Sequence, residues 1–259
     1  MAGAITVSHW VIQLENLLHY YGKQRTSPSV QFRARQEFRN SEITVLVGES
    51  GSGKSTLLKV LGGLDCAGSG TLKVRWDICN DPGKTSRDAI ERSLPHTHHD
   101  LAHYRRHRVA FLFQDGGLIE EFSVLQNVLL PLRYAEIPRH LRRARCEQAL
   151  ERVGLKDKIG KRLNQLSGGE RHRVAMARTI ARKAAIVICD EPTAALDRDN
   201  AILVRDILRD EAKRGACVFI ATHDDRLIDH QFADNIIDID QGVASLRAHP
   251  PPSETARPN

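Results

Sequence analysis

The chain lacks paired cysteines, long apolar runs and any strong excess of one charge. Its five cysteines, Cys66, Cys79, Cys146, Cys189 and Cys217, are scattered and form no C-x-x-C pair. That argues against a disulfide framework and against a cysteine-built zinc site. Cys189 and Cys217 lie in apolar, strand-like runs, where cysteine serves as a small hydrophobe, so reduced thiols are expected. No apolar run approaches the ~18–20 residues that a spanning helix needs. Residues 1–10 hold no basic region followed by an apolar stretch, so no secretory signal is expected and the chain should stay in the cytosol. Lys and Arg number 38 against 32 Asp and Glu, a net +6 with His neutral. Such a mildly basic surface suits nucleotide, nucleic acid or anionic lipid without choosing among them. The 259 residues, 41% of them hydrophobic, suffice for one large α/β domain or two small ones.

What the chain does have is Gly48-Glu49-Ser50-Gly51-Ser52-Gly53-Lys54-Ser55-Thr56, of the form G-x-x-x-x-G-K-[ST], a phosphate-binding P-loop. Ile43-Thr44-Val45-Leu46-Val47 leads in as a buried strand, and Leu57, Leu58, Leu61 and Leu64 lead out on one face of a helix. Strand, glycine-rich loop and helix are the context the motif needs. The glycines let the main chain curl so that its N–H groups point at phosphate oxygens, and the helix N-terminus adds its dipole. Lys54 is expected to reach the β- and γ-phosphates and Ser55 to ligate Mg²⁺.

The rest of the chain alternates strand and helix patterns, which predicts a parallel sheet with helices on both faces. Residues 5–21 open as an alternating edge strand and end in His19-Tyr20-Tyr21, aromatics that could stack on adenine or pack an edge. A half-exposed strand is expected around Val30–Phe38 and another over Thr71–Trp76, after a turn at Gly68-Ser69-Gly70. Residues 77–104 read as a polar loop with a short helix inside it. His96, His98, His99, His103 and His107 cluster at its end, a conceivable metal site or a solvated insertion, with no carboxylate or cysteine spaced to close a ligand shell. Val109–Phe113 is a buried strand ending at Gln114. A helix is expected from Ser123, disrupted by Pro131. Pro138 then opens a basic helix over Arg139–Val153, with Leu141, Ala149, Leu150 and Val153 facing a core. Its arginines read as a solvated face, so no nucleic-acid partner is expected. Leu166-Ser167-Gly168-Gly169-Glu170 precedes a helix through Ala181, and Ala185–Glu191 is a buried strand tipped by Asp190 and Glu191. A helix over Arg198–Lys213, a strand ending before His223-Asp224 and a strand pair over Asn235–Leu246 follow. The Pro-rich tail, 249–259, is expected to be disordered. In open α/β sheets, ligands bind at the carboxyl ends of the strands, where the P-loop, Gln114, Asp190-Glu191 and His223 would all fall.

Taken in this order, the motifs resemble the nucleotide-binding subunits of ABC transporters over residues 5–246. The discriminating piece is Leu166-Ser167-Gly168-Gly169-Glu170, the signature, because many P-loop NTPases share the P-loop and the strand tipped by Asp190-Glu191. The resemblance implies an α/β P-loop NTPase fold over residues 1–248. Its RecA-like core would take residues 40–115 and 161–246, an antiparallel β subdomain 5–40 and 70–76, and an inserted α-helical subdomain 116–160. It implies ATP and Mg²⁺ as ligands, Tyr21 as the adenine-stacking aromatic, Asp190 with Ser55 and Gln114 on Mg²⁺, Glu191 as general base and His223 on the γ-phosphate. Two copies would clasp ATP head to tail, the P-loop of one facing Ser167, Gly168 and Gly169 of the other, with Asp197 at the interface. A separate membrane permease would be driven by this closure, with the subunit peripheral on the cytoplasmic face of the inner or plasma membrane. Leu61–Asp65 and the Phe122–Leu132 pattern are similar to the lipoprotein-release, macrolide-export and cell-division group. Leu163, Glu170, His172 and Ala194 depart from common family residues without removing a group the chemistry needs. A soluble ABC-type ATPase, as in iron–sulfur assembly, is the alternative. A non-enzymatic nucleotide switch is disfavoured by intact Glu191 and His223.

Overall fold

The computed structural model describes residues 10–20, 29–66, 68–75, 91–93, 98–194 and 196–247. Tyr21, Cys79, His96, Ala195 and the tail lie outside these residues, as do the side chains of His98 and His99. One ten-stranded sheet runs in the order β5-β4-β1-β2-β10-β9-β3-β8-β7-β6. Its parallel part is β9 (Asn235–Asp240), β3 (Ile43–Val47), β8 (Cys217–Ala221), β7 (Ile186–Asp190) and β6 (Val109–Leu112). Its antiparallel part is β1 (Trp10–His19), β2 (Val30–Arg39), β4 (Ser69–Arg75) and β5 (Glu91–Ser93). The strand β10 (Val243–Leu246) joins the two parts, pairing parallel to β2 and antiparallel to β9.

The parallel strands are apolar on both faces because both are covered, and their side chains alternate between two cores. Val187 and Cys189 of β7, with Val218 and Ile220 of β8, face one core together with helices α3 (Val124–Tyr134), α4 (Arg139–Arg152), α5 (Gly168–Ala181) and α6 (Arg198–Lys213). Ile186 and Ile188, with Cys217, Phe219 and Ala221, face the other. There α1 (Lys54–Leu61) is covered by side chains of β1, β2 and β4, and Tyr104 of α2 (His98–Arg108) donates to the Leu61 carbonyl at 2.8 Å.

Several expectations are corrected. The first strand is not an edge: β1 is paired on both sides, by β2 and β4. Leu64 lies past the end of α1 and is exposed, because Gly62 and Gly63 stop the helix first. The helix expected within 77–104 runs on to Arg108. Pro131 does not break α3, which continues to Tyr134. The missing N–H costs one bond, but buried Val128 and Leu132 on either side hold the last turn against the core, and Ala135 N–H donates to the Pro131 carbonyl at 3.0 Å. Leu141 is exposed, and the core face of α4 is Cys146, Ala149 and Leu150.

Candidate functional site

Register brings the motif ends together. Leu46 pairs with Ala221 and Ala221 with Asp190, so the next residues, leading to Gly48, His223 and Glu191, leave the same edge of the sheet. The loop from Gly48 curls tightly. A Cβ on Gly48 would fall 2.2 Å from the Ile239 carbonyl oxygen, and Gly53 holds φ 113°, open to glycine at little cost. Lys54 is buried and folds back, its Nζ donating to the carbonyls of Gly48 at 2.6 Å and Glu49 at 2.9 Å. Ser52 is buried with an Oγ that meets no hydrogen-bond partner. Glu49, Ser50 and Gly51 line the outside of the curl, and Thr56 is buried behind it.

Ser55, at the start of α1, hydrogen-bonds the Asp190 carboxylate. Burial pushes the Asp190 carboxyl up from its ordinary value. The Ser55 bond opposes that, Glu191 adds to it, and Lys59 and Lys54 oppose it further. A half-buried carboxylate facing a hydroxyl is a hard-oxygen pair of the kind that suits Mg²⁺.

Glu191 sits at φ 49°, the left-handed region, a costly conformation for a side chain with a Cβ. It is held there by its own N–H donating to the Ala221 carbonyl at 2.8 Å and by Ala194 N–H donating to its carbonyl at 3.2 Å. The result aims Glu191 Oε2 at His223 Nδ1, 3.0 Å away. A second tie fixes the two loops: Thr193 Oγ1 donates to Asp224 Oδ2 at 2.6 Å.

The signature lies elsewhere. Ser167 caps α5 in a reciprocal box, its Oγ accepting from Glu170 N–H at 3.3 Å and its N–H donating to Glu170 Oε2 at 2.8 Å. Ser167 and Gly168 are exposed. Gly168 and Gly169 line a cleft of 360 Å³ with Gln114, Arg171, Ala194 and Leu196. No residue of the P-loop lines it. Gln114 is exposed on that wall, whereas Asp190 takes its bond from Ser55. Asp197 caps α6, its Oδ1 accepting from Asn200 N–H at 2.8 Å. Among the described residues no cluster of three or more His, Cys, Asp or Glu is arranged for a metal; within the His-rich stretch, His103 and His107 have ring centroids 4.4 Å apart.

Sequence reasoning missed the residues that brace these groups. Thr193 and Asp224 follow the strand tips directly. Arg178, Thr179 and Arg182 share one helical face at the C-terminal end of α5, but helical spacing alone does not set them apart from the other polar residues of basic helices.

The ABC transporter family model matches residues 33–194. The lipoprotein-releasing system ATP-binding protein LolD of Ehrlichia chaffeensis is 37% identical over 234 residues, 90% of this chain and 93% of that protein. The macrolide export ATP-binding/permease protein MacB of Bartonella henselae is 34% identical over 90% of this chain, which spans 33% of that longer protein. Among solved structures, the ATP-binding cassette MJ0796, dimeric in a post-hydrolysis state with ADP and Pi, superposes with a TM-score of 0.75 at 28% identity, over 90% of this chain and 96% of that one. A curled glycine-rich loop, a carboxylate pair beside it and a capped, exposed Ser-Gly-Gly turn are thus found on a shared backbone: the chain belongs to the ABC transporter family, as an ATP-binding subunit.

Proposed function

We propose that this ATPase binds and hydrolyses ATP between two copies of itself and that the closure drives a separate membrane permease. The observation that carries the reading is the Glu191–His223 pair at 3.0 Å, one residue beyond the Asp190 that Ser55 bonds. The groups needed to hold phosphate and to take a proton from water therefore converge in one chain. The Ser167–Gly169 turn, by contrast, opens onto a cleft that the P-loop does not line. A second copy turned head to tail would bring its Ser167 hydroxyl and its Gly168 and Gly169 N–H groups to the γ-phosphate, as charge-stabilising donors at a helix start.

In this reading the P-loop N–H groups and Lys54 hold the β- and γ-phosphates, and Glu191 Oε2 takes the proton from the attacking water. His223 orients Glu191 and donates to the γ-phosphate, and Asp197 meets the partner. Tyr21 stacks on the adenine. Ser55 and Asp190, with Gln114 approaching from the cleft wall, would hold Mg²⁺; when bound, the ion neutralises charge on the β- and γ-phosphate oxygens.

No helix among the described residues is long and apolar enough to cross a membrane; in this reading the span belongs to the permease. The helical region 116–160, which contains α3 and α4, is the face we assign to it. The named relatives, a lipoprotein-releasing ATP-binding protein and a macrolide export protein, support a transport role, and in this reading the subunit sits on the cytoplasmic face of a membrane. The test is Glu191→Gln. Turnover should fall by about 10²–10⁴-fold, the scale of losing a general base, while ATP binding persists and an ATP-dependent dimer accumulates on size exclusion. Undiminished turnover removes Glu191 from the mechanism, and a monomer at saturating ATP removes the shared site.

A further inference from the structure

The helix that starts at the signature runs along β6 and is fastened to it by one stripe of residues. Arg182, near its C-terminal end, donates to the Val109 carbonyl at 2.6 Å. Thr179 Oγ1 donates to the Phe111 carbonyl at 2.8 Å. Arg178 donates through both terminal nitrogens, to the carbonyls of Gly116 and Gly117, each at 2.5 Å. Ala175 closes the stripe: a Cβ on Gly116 would lie 3.3 Å from its own. These positions, 175, 178, 179 and 182, share one face of the helix.

The turn that Arg178 grips directly follows Gln114. Gly116 N–H donates to the Phe113 carbonyl at 2.9 Å, and Gly117 N–H donates to Asp115 Oδ1 at 3.0 Å. Gly116 and Gly117 both hold positive φ, 72° and 54°, which turns both carbonyls toward the guanidinium. Burial lowers the Arg178 pKa, and nearby Asp115 opposes that. A planar fork donating to neighbouring carbonyls fixes orientation as well as distance, which a lysine could not do. One turn from the start of α5, Arg171 also pairs with Glu120.

We infer that Arg178 is a positioning residue that locks the Gln114 turn to the signature helix, so that Gln114 and the Ser167–Gly169 turn move as one body when two chains close on ATP. The inference rests on the ATPase reading above and names how two parts of that site are kept in step. Arg178 touches neither nucleotide nor metal, and it acts through the main chain of Gly116 and Gly117.

The experiment compares Arg178→Lys, Arg178→Ala and Asp115→Ala with the wild-type full-length chain. It measures amide hydrogen exchange without nucleotide, binding of a fluorescent ATP analogue, and steady-state kcat and KM. Exchange over 114–118 should speed up by roughly tenfold in the Arg178 variants and less in Asp115→Ala, while the P-loop helix stays protected. Nucleotide affinity should hold, and kcat should fall by roughly 10- to 100-fold in Arg178→Ala with KM little changed, as for misplacement away from the chemistry. Arg178→Lys should recover only part of the loss. Should Arg178→Ala fail to fold, the lysine and Asp115 variants decide. Unchanged exchange over 114–118 overturns the inference, and so does faster exchange with wild-type kcat, or a loss of turnover matched by loss of nucleotide affinity. A wild-type chain without turnover defeats the ATPase reading instead, and the exchange measurement alone then judges Arg178.

Discussion

The two regions proposed as halves of the ATP site are built differently within one chain. Around the P-loop, groups from distant segments reach one another, Ser55 to Asp190 and Glu191 to His223, while Lys54 folds back within its own loop to Gly48 and Glu49. Around the signature and Asp197 the key side chains cap their own helices, Ser167 with Glu170 and Asp197 with Asn200, and the longer-range bonds are made by their partners, Glu170 with Lys158 and Asn200 with Arg173. The first half is organised by tertiary contacts and strain, including the positive φ of Glu191. In the second, Ser167 and Gly168 are exposed and Ser167 is held only by its local cap, so this turn could meet a partner without first breaking a long-range bond of its own. In the proposed reading, preorganisation inside one chain favours nucleotide capture, and local self-capping keeps the Ser167 turn available until two chains meet.

The contrast breaks most completely at Lys54. Its ammonium is the proposed phosphate ligand and also the clasp that joins the carbonyls of Gly48 and Glu49. Lys54→Ala removes both roles at once and should abolish tight ATP binding, read by titration with a fluorescent nucleotide. Retained affinity would mean that the loop binds through its N–H groups alone.

Ser167 separates the two halves more finely. Ser167→Ala loses the cap, at about 1 kcal/mol within a range of 0.5–2, and loses the donor proposed for the partner's nucleotide. Ser167→Asp keeps the cap, because aspartate caps as well as serine, but sets a negative charge where the γ-phosphate should arrive. Its melting temperature should match wild type while turnover drops by more than about tenfold, or 1.4 kcal/mol of barrier. Equal turnover in Ser167→Asp and wild type would place the signature outside the reaction.

Glu211 tests the frame behind both halves. It is buried on α6 and receives Arg152 of α4 at 2.8 Å and Arg214 at 2.7 Å. Removing a buried partner typically costs about 3–5 kcal/mol. Both arginines keep some exposure to water, so Glu211→Ala should sit near the low end, about 3 kcal/mol in urea denaturation. ATP affinity of the folded fraction should be unchanged, because none of these residues lines the P-loop. A drop in affinity would show that the α4–α6 bond shapes the cradle itself.

Sequence legibility followed the same division. The P-loop could be read because its fold demands glycine and lysine at fixed spacings. The tip at Asp190-Glu191 could be read because a continuous apolar run precedes it. The bounds of α6, Arg198–Lys213, could be read because Asp197 is a strong cap. The position of β1 inside the sheet could not, since both partners come from distant segments and alternation looks alike at an edge and in the middle. The survival of α3 through Pro131 could not, since packing of Val128 and Leu132 outweighs the lost bond. Arg178 escaped because one arginine among many on basic helices carries no local mark; its meaning lies in the carbonyls it meets. The aromatic expected at Tyr21 lies outside the described residues.

The smallest expected effect concerns what holds Glu191 to His223. Burial pushes the Asp224 carboxyl up, but hydrogen bonds from Arg226 and Thr193 outweigh it and bring its pKa down to about 2. The folded chain therefore holds Asp224 ionised at pH values where the unfolded chain has begun to protonate it. Its stabilising contribution is complete above the ordinary aspartate range, near pH 4–5, and fades as pH falls toward 2. Asp224→Asn removes that dependence. The difference in unfolding free energy between wild type and Asp224→Asn should be largest near neutral pH and shrink on acidification below about pH 4. Partial exposure keeps the difference small. Because Thr193 bridges from the Glu191 turn to Asp224, the same variant should also lower turnover slightly at neutral pH, with ATP affinity intact. A stability difference flat from pH 7 to 3 would show that the Thr193–Asp224 bond does not hold the two loops, leaving the left-handed turn at Glu191 to be fixed by the Ala221 and Ala194 backbone bonds alone.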